Sequence, residues 1–254
     1  MLSTSMVDAA ARIKNAGRLV VLTGAGASKE SGIPTFRDAL TGLWANYNPE
    51  ELATPEGFLR NPPLVWQWYD WRRQQLQEVQ PNKGHYAIVE LEGLIDHVAV
   101  ITQNVDGLHQ RAGSKDVVEL HGSIERFSCF DHRHLKDPMQ KIEFGLTEPP
   151  LCSYDNCRSK MRPDVIWFGE ALPEEALSRG FVECEKADVI LVVGTSGIVQ
   201  PAASLPFAGK RRGAFLIEVN PEETALTDGC DLFLKGPGGE VLPALIEAVK
   251  NLEP

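Results

Sequence analysis

Short apolar runs alternate with amphipathic stretches along most of the chain. The first run, residues 19–22, is rich in β-branched side chains, as a buried strand requires. Similar runs lie at residues 98–102, 117–120, 164–168, 188–193, 214–219 and 231–234. Apolar residues at helical spacing predict helices over residues 7–16, 82–94, 173–186 and 241–252. Strands that alternate with helices indicate an α/β fold with a doubly wound parallel sheet.

Two segments interrupt this alternation. In residues 39–81, a helix opens at Thr54 and a longer one follows Asn61, because each of these capping residues precedes a proline. Residues 125–162 are rich in cysteine, histidine, proline and charge. We therefore predict that these two segments form a small lobe, inserted into a sheet domain built from residues 1–38, 82–124 and 163–254.

The chain turns sharply at Gly24-Ala25-Gly26, directly after the first predicted strand. Glycine permits positive φ and close approach of the backbone to another molecule. A strand, a Gly-x-Gly turn and a helix start can bind a phosphate, because free N–H groups and the positive helix end point at it. The alternative is an ordinary tight turn between strand and helix.

Polar and small residues follow three further predicted strands. They are Gln103-Asn104-Val105-Asp106, Gly194-Thr195-Ser196, and Asn220. In open α/β sheets, ligands bind outside the carboxyl ends of the strands. The clustering favours a nucleotide that lies across this sheet edge, against the alternative of ordinary loop capping.

Three side chains are candidates for catalysis and substrate recognition. His121 ends a short strand, and the near-neutral pKa typical of histidine suits a general base, although a lone histidine is often structural. Tyr69 and Arg72 share one face of a predicted helix over residues 63–79, among apolar neighbours. The pair forms either an anion receptor of guanidinium and phenol or, alternatively, a core contact in which the Arg72 head meets a carboxylate.

Five cysteines in a long chain indicate a reducing compartment, with a metal or single thiols rather than a disulfide framework. Tetrahedral zinc needs four ligands, and Cys129, His132, Cys152 and Cys157 supply four. Their spacing is not that of a double Cys-x-x-Cys site. Free thiols on a metal-free lobe are therefore the alternative.

Composition narrows the function classes. The chain has 254 residues, enough for a large domain with an inserted lobe, and a net charge of −10. This charge argues against a nucleic-acid backbone as the main partner, but local N–H groups can still bind a dinucleotide. No apolar run reaches the roughly 18 residues of a membrane span. Because no targeting pattern is visible either, we expect a cytoplasmic protein with no membrane partner.

Six motifs resemble, in order and spacing, those of the sirtuins. They are Gly24-Ala-Gly-Ala-Ser28, Gly32-Ile-Pro-Thr-Phe-Arg37, Gln103-Asn-Val-Asp106, His121-Gly122, Phe168-Gly-Glu170 and Gly194-Thr-Ser196. The resemblance extends over residues 7–250. It implies a Rossmann-type NAD-binding domain with a smaller inserted lobe, and NAD-dependent removal of acyl groups from protein lysines. The implied products are nicotinamide, free lysine and an O-acyl-ADP-ribose.

The resemblance also implies a role for individual residues, with His121 as the general base. Those implied to lie near the phosphates and the adenosine ribose are Gly24, Ala25, Gly26, Ser196 and Asn220. Those implied to lie near the nicotinamide and its ribose are Phe36, Arg37, Gln103, Asn104 and Asp106. The remaining implied cofactor contacts are Ser28, Gly194, Thr195 and Gly238.

Tyr69-x-x-Arg72, in the helix after the Ala53-Thr-Pro segment, resembles the sirtuin subgroup that removes succinyl, malonyl and glutaryl groups. The resemblance implies that Arg72 and Tyr69 bind the distal carboxylate of the acyl chain and that the small Ala53 leaves room for it. Val165 and Phe168 complete the implied substrate site. A plain deacetylase of the same family is the alternative, and a non-catalytic NAD-binding module is a further one.

Two departures from known patterns matter. The metal lobe of the family has two cysteine pairs, whereas here the second ligand position is His132, with His134 as a substitute. The glycine loop is not the full G-x-G-x-x-G of dehydrogenases, and no acidic residue ends a second strand about twenty residues further on. This second departure argues against hydride transfer.

Overall fold

The computed structural model describes residues 3–33, 49–135 and 142–252. The strands within these ranges are β1 (Arg18–Thr23), β2 (His97–Thr102), β3 (Val117–Glu119), β4 (Gly122–Cys129), β5 (Met161–Val165), β6 (Val189–Val193), β7 (Phe215–Asn220) and β8 (Leu232–Lys235). The α-helices are α1 (Thr4–Lys14), α2 (Gly26–Lys29), α3 (Pro49–Leu52), α4 (Pro55–Arg60), α5 (Pro62–Glu78), α6 (Lys83–Leu91), α7 (Leu108–Ala112), α8 (Glu174–Lys186), α9 (Leu205–Arg211) and α10 (Gly238–Asn251).

Six strands form one parallel sheet in the order β3-β2-β1-β6-β7-β8. The chain fills one side of β1 first and the other side afterwards, which confirms the predicted doubly wound fold. Thr23, at the end of β1, is in register with Thr102 of β2 and Val193 of β6. The loops that follow these three strands therefore meet at one edge of the sheet.

Strand β1 is covered on both faces. Leu19 and Val21 belong to the apolar cluster that contains residues of α1, α6 and α10, whereas Val20 and Leu22 belong to the cluster that contains residues of α8 and α9. A strand buried on both faces needs no polar alternation. This explains why an uninterrupted apolar run predicted the strand correctly.

Strands β4 and β5 form a separate, two-stranded antiparallel sheet. The prediction of a strand over residues 164–168 was therefore wrong in its position, because β5 ends at Val165 and does not join the parallel sheet. Strand β4 was not predicted, because the adjacent exposed residues Glu125 and Arg126 break its alternation where the register shifts.

The antiparallel pair brings His121 next to the segment that follows β5. Gly122 lies opposite Val165, and Ile166 N donates to His121 O over 2.9 Å. At Gly122 the backbone has φ of +76°, and a Cβ atom would lie 2.0 Å from Asp164 O. Only glycine fits there, so Gly122 is required for the backbone path that places His121 beside β5.

Helix α5 forms the long element of the small lobe. The predicted caps are confirmed, because Thr54 Oγ1 accepts a hydrogen bond from Gly57 N and Asn61 Oδ1 accepts one from Leu64 N. One apolar cluster joins α5 to the antiparallel pair and contains Trp68, Tyr69, Ile124, Val165 and Trp167. The proposed domain boundaries stay a prediction. No helix in the described ranges has the length and apolar character to cross a bilayer.

The loops after β1 and β6 are in direct contact. Gly26 N donates to Gly194 O over 2.8 Å, and a Cβ on Gly26 would lie 2.7 Å from the same oxygen. Gly194 itself has φ of +62°, and a Cβ there would lie 2.4 Å from Ala27 N. Both glycines are therefore required for the packing of the two loops against each other.

We expect Gly26→Ala to lower the free energy of unfolding by about 1–3 kcal/mol, because backbone atoms cannot yield to the added methyl group. Gly93→Ala is the matched control, since its Cβ would meet only Glu90 O at 3.4 Å. Thermal unfolding followed by circular dichroism measures both variants. An unchanged midpoint for Gly26→Ala would show that the two loops separate at little cost.

Candidate active site

A cavity of about 1510 Å³ lies along the carboxyl edge of the parallel sheet and continues toward the small lobe. It brings together most of the site residues predicted from the sequence, namely Gly24, Ala25, Gly26, Ser28, Ala53, Tyr69, Arg72, Gln103, Asn104, Asp106, His121, Val165, Phe168, Gly194, Thr195, Ser196 and Asn220. Gly238 lies outside this lining, at the start of α10, where it packs against Val193 and Gly84. Phe36 and Arg37 lie outside the described residues.

One end of the cavity has a floor of buried, mutually bonded polar groups. Ser28 Oγ donates to Asp106 Oδ2 over 2.7 Å, and Asn104 Nδ2 donates to Ser28 Oγ over 3.0 Å. The other oxygen of Asp106 accepts from Leu108 N over 2.9 Å. These bonds hold the Asp106 carboxylate in one orientation at the cavity wall, where it can accept a further hydrogen bond from an amide.

The neighbouring loops are held together by side-chain amides. Gln103 Nε2 donates to Thr195 Oγ1 over 3.1 Å, and Asn220 Nδ2 donates to Thr195 O over 2.9 Å. At the ends of β1 and β6, Gly24 and Gly26 have no side chains, so backbone atoms border the cavity there. This combination of bare backbone and neutral polar groups fits the phosphates and ribose of a dinucleotide.

His121 is half-buried in the middle of the lining. Its Nδ1 lies 2.9 Å from Gln103 O. A carbonyl oxygen can only accept, so Nδ1 carries the proton and Nε2 has the free lone pair. Burial lowers the pKa of His121, although the bond to Gln103 O opposes this effect. The neutral imidazole is thus the stable form at physiological pH, and it can act as a base through Nε2.

The other end of the cavity is formed by α5, Ala53 and the segment after β5. The guanidinium carbon of Arg72 lies 4.9 Å from the Trp68 ring centre and 5.9 Å from that of Tyr69. Burial lowers the pKa of Arg72, and Tyr69 and Asp106 oppose that shift. Burial also raises the pKa of Tyr69 to about 12, so its hydroxyl stays protonated.

Trp167 is a lining residue that the sequence reasoning missed. It is buried, and its Nε1 donates to Tyr69 Oη over 2.9 Å. The available signal was the alternation within the predicted strand over residues 164–168, in which Val165 and Trp167 stand two apart and would face the same way. The contact itself joins residues 98 positions apart, which no local pattern reveals.

A second cluster lies in the small lobe. Ligand atoms of Cys129, His134, Cys152 and Cys157 all lie within 4.8 Å of one another. Three thiols and one imidazole are a donor set that suits structural zinc, and their closeness fits tetrahedral binding of one ion. Zinc bound there would join β4 to the segment before β5 and would stabilise the lobe.

The expectation that His132 is the fourth ligand is corrected, since the structure places His134 in the cluster and leaves His132 exposed. The reason is a tight turn after β4, in which Arg133 adopts φ of +56° and its N–H bonds to Cys129 O. This turn sets His134 opposite Cys129, whose N–H bonds to His134 O.

Comparisons with known proteins show which family the chain belongs to. The model of the Sir2 family matches residues 24–201. An NAD-dependent protein deacylase of Pyrococcus abyssi is 49% identical over 97% of this chain and 99% of its own length. The structure of a Sir2 homolog–NAD complex superposes with a TM-score of 0.87 at 46% identity, covering 98% of this chain and 94% of that one.

A further structure, of Sir2Af2 bound to a myristoylated histone peptide, is 35% identical and superposes with a TM-score of 0.74. It covers 98% of each chain. The fold and these relatives therefore define an NAD-dependent protein deacylase. The chain belongs to the Sir2 family, the sirtuins.

Removing a hydrogen-bond partner of a metal ligand typically lowers metal affinity by about 10- to 100-fold. His134 is itself a candidate ligand, so we expect His134→Ala to lower zinc affinity by more than that. The thermal unfolding midpoint should fall with it. His132→Ala is the matched control and should keep the metal, because its ring lies outside the cluster. Bound zinc is measured by atomic absorption after dialysis against a weak chelator. Metal loss in the His132 variant alone would reverse the assignment.

Proposed function

We propose that this chain removes acidic acyl groups, of the succinyl, malonyl and glutaryl class, from protein lysines, with His121 as the general base. The products are nicotinamide, an O-acyl-ADP-ribose and free lysine. The observation that carries the proposal is that Tyr69 and Arg72 line the same cavity as His121. A plain deacetylase would have no carboxylate to place against this pair.

A cation and a phenol at the end of an apolar pocket suit a carboxylate. Burial removes part of the hydration of the Arg72 guanidinium and so lowers the pKa of Arg72, and a carboxylate within hydrogen-bonding reach would favour the charged form. Guanidinium can bind both carboxylate oxygens at once. The Tyr69 hydroxyl, which stays protonated, can donate a further bond.

The surroundings leave room for such an acyl chain. Ala53 is buried and small, and its carbonyl accepts from Phe168 N over 2.9 Å, which holds the segment after β5 against the small lobe. Phe168 itself is 54% exposed and lines the cavity. The related complex with a myristoylated histone peptide supports acylated-lysine peptides as the substrate class.

The orientation of His121 supports a role in proton transfer. NAD, when bound, supplies the ribose that takes up the acyl oxygen as nicotinamide leaves. His121 Nε2 accepts a proton from a ribose hydroxyl, while Nδ1 stays bonded to Gln103 O and keeps the ring in place. Asp106, held by Ser28, would accept a hydrogen bond from the carboxamide of bound NAD. Ile33 lines the cavity and helps to exclude water.

We expect His121→Ala to lower turnover by at least about 100-fold, the usual contribution of a general base, while the Kd for NAD changes little. Nicotinamide release with a succinyl-lysine peptide measures the turnover, and calorimetry measures NAD binding. Normal turnover in this variant would exclude His121 as the base.

The pH profile of the unaltered enzyme is a second check on the same role. The neutral imidazole is the active form, so kcat/KM should fall as the pH drops through the pKa of His121. Burial lowers this pKa from the ordinary 6.5, and activity should persist to more acidic pH than an exposed histidine would allow. An acid limb with its midpoint above pH 6.5 would contradict the assignment.

We expect Arg72→Met to lower kcat/KM for a succinyl-lysine peptide by about 10- to 100-fold, far more than for the matched acetyl-lysine peptide. The physical reason is that the change removes the charge that meets the distal carboxylate but keeps an unbranched side chain of similar length. Nicotinamide release from the two peptides, measured side by side, gives the ratio.

Arg73→Met is the control for a purely structural role of the neighbouring arginine. Arg73 is buried, donates to Asp70 over 3.0 Å and stacks on the rings of Phe127 and Phe144. Its loss should reduce stability and affect both peptides by the same factor. If Arg72→Met behaves in this way as well, or if the unaltered enzyme acts on the acetyl peptide alone, the proposed acyl preference is wrong.

A further inference from the structure

We infer that Trp167 is a positioning residue for acyl selectivity, because its indole N–H sets the direction in which the Tyr69 hydroxyl donates. The inference rests on the proposed function, since it concerns the same site for the acyl carboxylate. It adds a residue outside the Tyr-x-x-Arg pair and gives that residue a defined chemical task.

The hydrogen bond between the two side chains has a fixed polarity. Indole Nε1–H can only donate, so the 2.9 Å contact makes Tyr69 Oη the acceptor. Among the described residues, Tyr69 Oη has no other hydrogen-bond partner. With its oxygen occupied by Trp167, the Tyr69 proton is left to be donated to a group that enters the cavity.

The phenol is kept in its donating form by its surroundings. Tyr69 and Trp167 are only 4% and 2% exposed, so water has little access to the hydrogen bond between them. Burial raises the pKa of Tyr69 to about 12, although Arg72 and the bond from Trp167 oppose this. A hydroxyl of fixed direction next to a guanidinium binds a carboxylate without first having to reorient.

Trp167 is itself held by a buried ion pair. The guanidinium carbon of Arg162 lies 3.3 Å from a ring centre of Trp167. Glu170 accepts two hydrogen bonds from Arg162, over 2.6 and 2.8 Å, and one from Trp167 N over 2.7 Å. Backbone and ring of Trp167 are therefore fixed together, which keeps Nε1 directed at Tyr69.

The ion pair is stable as a unit. Arg162 is 1% exposed and also donates to Val165 O over 2.8 Å. Burial works against the charge of Glu170, but the hydrogen bonds from Arg162 and Trp167 N hold its pKa below the ordinary range. Both groups thus remain charged at neutral pH, and the clamp on Trp167 persists there.

The decisive variant is Trp167→Phe, which keeps an aromatic ring for Arg162 to stack on and removes the N–H donor. Freed from Trp167, the Tyr69 hydroxyl can turn away from the carboxylate. We expect the ratio of KM for the succinyl peptide to KM for the acetyl peptide to rise by about three- to tenfold, the worth of one hydrogen bond. The kcat values for the two peptides should keep their ratio.

A double-mutant cycle separates this role from general packing. If Trp167 acts through the hydroxyl, Trp167→Phe should leave the KM ratio of the Tyr69→Phe variant where it is. Trp66→Phe is the matched control. Trp66 is an equally buried tryptophan of α5, and its Nε1 has no hydrogen-bond partner among the described residues. It should not change the ratio. Additive effects of the Trp167 and Tyr69 variants would overturn the inference.

A spectroscopic signature tests the hydrogen bond without reference to any acyl group. In a proton–nitrogen-15 correlation spectrum, the indole N–H signal of Trp167 is identified by its loss in Trp167→Phe. We expect Tyr69→Phe to shift the proton of this signal upfield, because the hydrogen bond is lost. An unmoved signal overturns the inference, and so do additive effects in the double-mutant cycle. If Arg72→Met still alters selectivity in either case, the proposed function stands. A KM ratio independent of Arg72 overturns the proposed function, and the inference with it.

Discussion

The register of three parallel strands is the constraint on which the site depends. Thr23 of β1, Thr102 of β2 and Val193 of β6 are aligned across the sheet. The three loops that follow these strands therefore begin at one edge and meet there. The loops after β1 and β6 then approach so closely that only glycine fits at positions 26 and 194. The bare backbone that borders the cavity is thus a consequence of sheet geometry as much as of the glycines themselves.

Buried charge organises the other half of the site. Arg73 pairs with Asp70 and Arg162 with Glu170, so each of these buried cations has a carboxylate within the chain. The second pair also fixes the wall of the cavity, since Glu170 accepts a hydrogen bond from Trp167 N. Arg72, one position from Arg73, lines the cavity, whereas Arg73 packs away from it between two phenylalanine rings.

The small lobe meets the sheet domain at the start of β4. Gly122 allows the backbone to pass within contact distance of β5, and this places His121 beside the segment that carries Trp167 and Phe168. The positions of His121 and of the end of the cavity near Tyr69 are therefore set by one short antiparallel pair. Zinc bound to Cys129 and its neighbours at the far end of β4 would stabilise the same antiparallel pair.

The sequence by itself determined the parallel sheet, because strands buried on both faces are written as uninterrupted apolar runs. It also determined the glycine turn after β1, the place of His121 after a short strand and the shared helix face of Tyr69 and Arg72, since each depends on residues close together in the chain. Tertiary structure alone decided that residues 161–165 pair with β4, that His134 rather than His132 joins the cysteines, and that Trp167 bonds to Tyr69. These depend on backbone turns and on contacts between distant segments, which local periodicity does not encode.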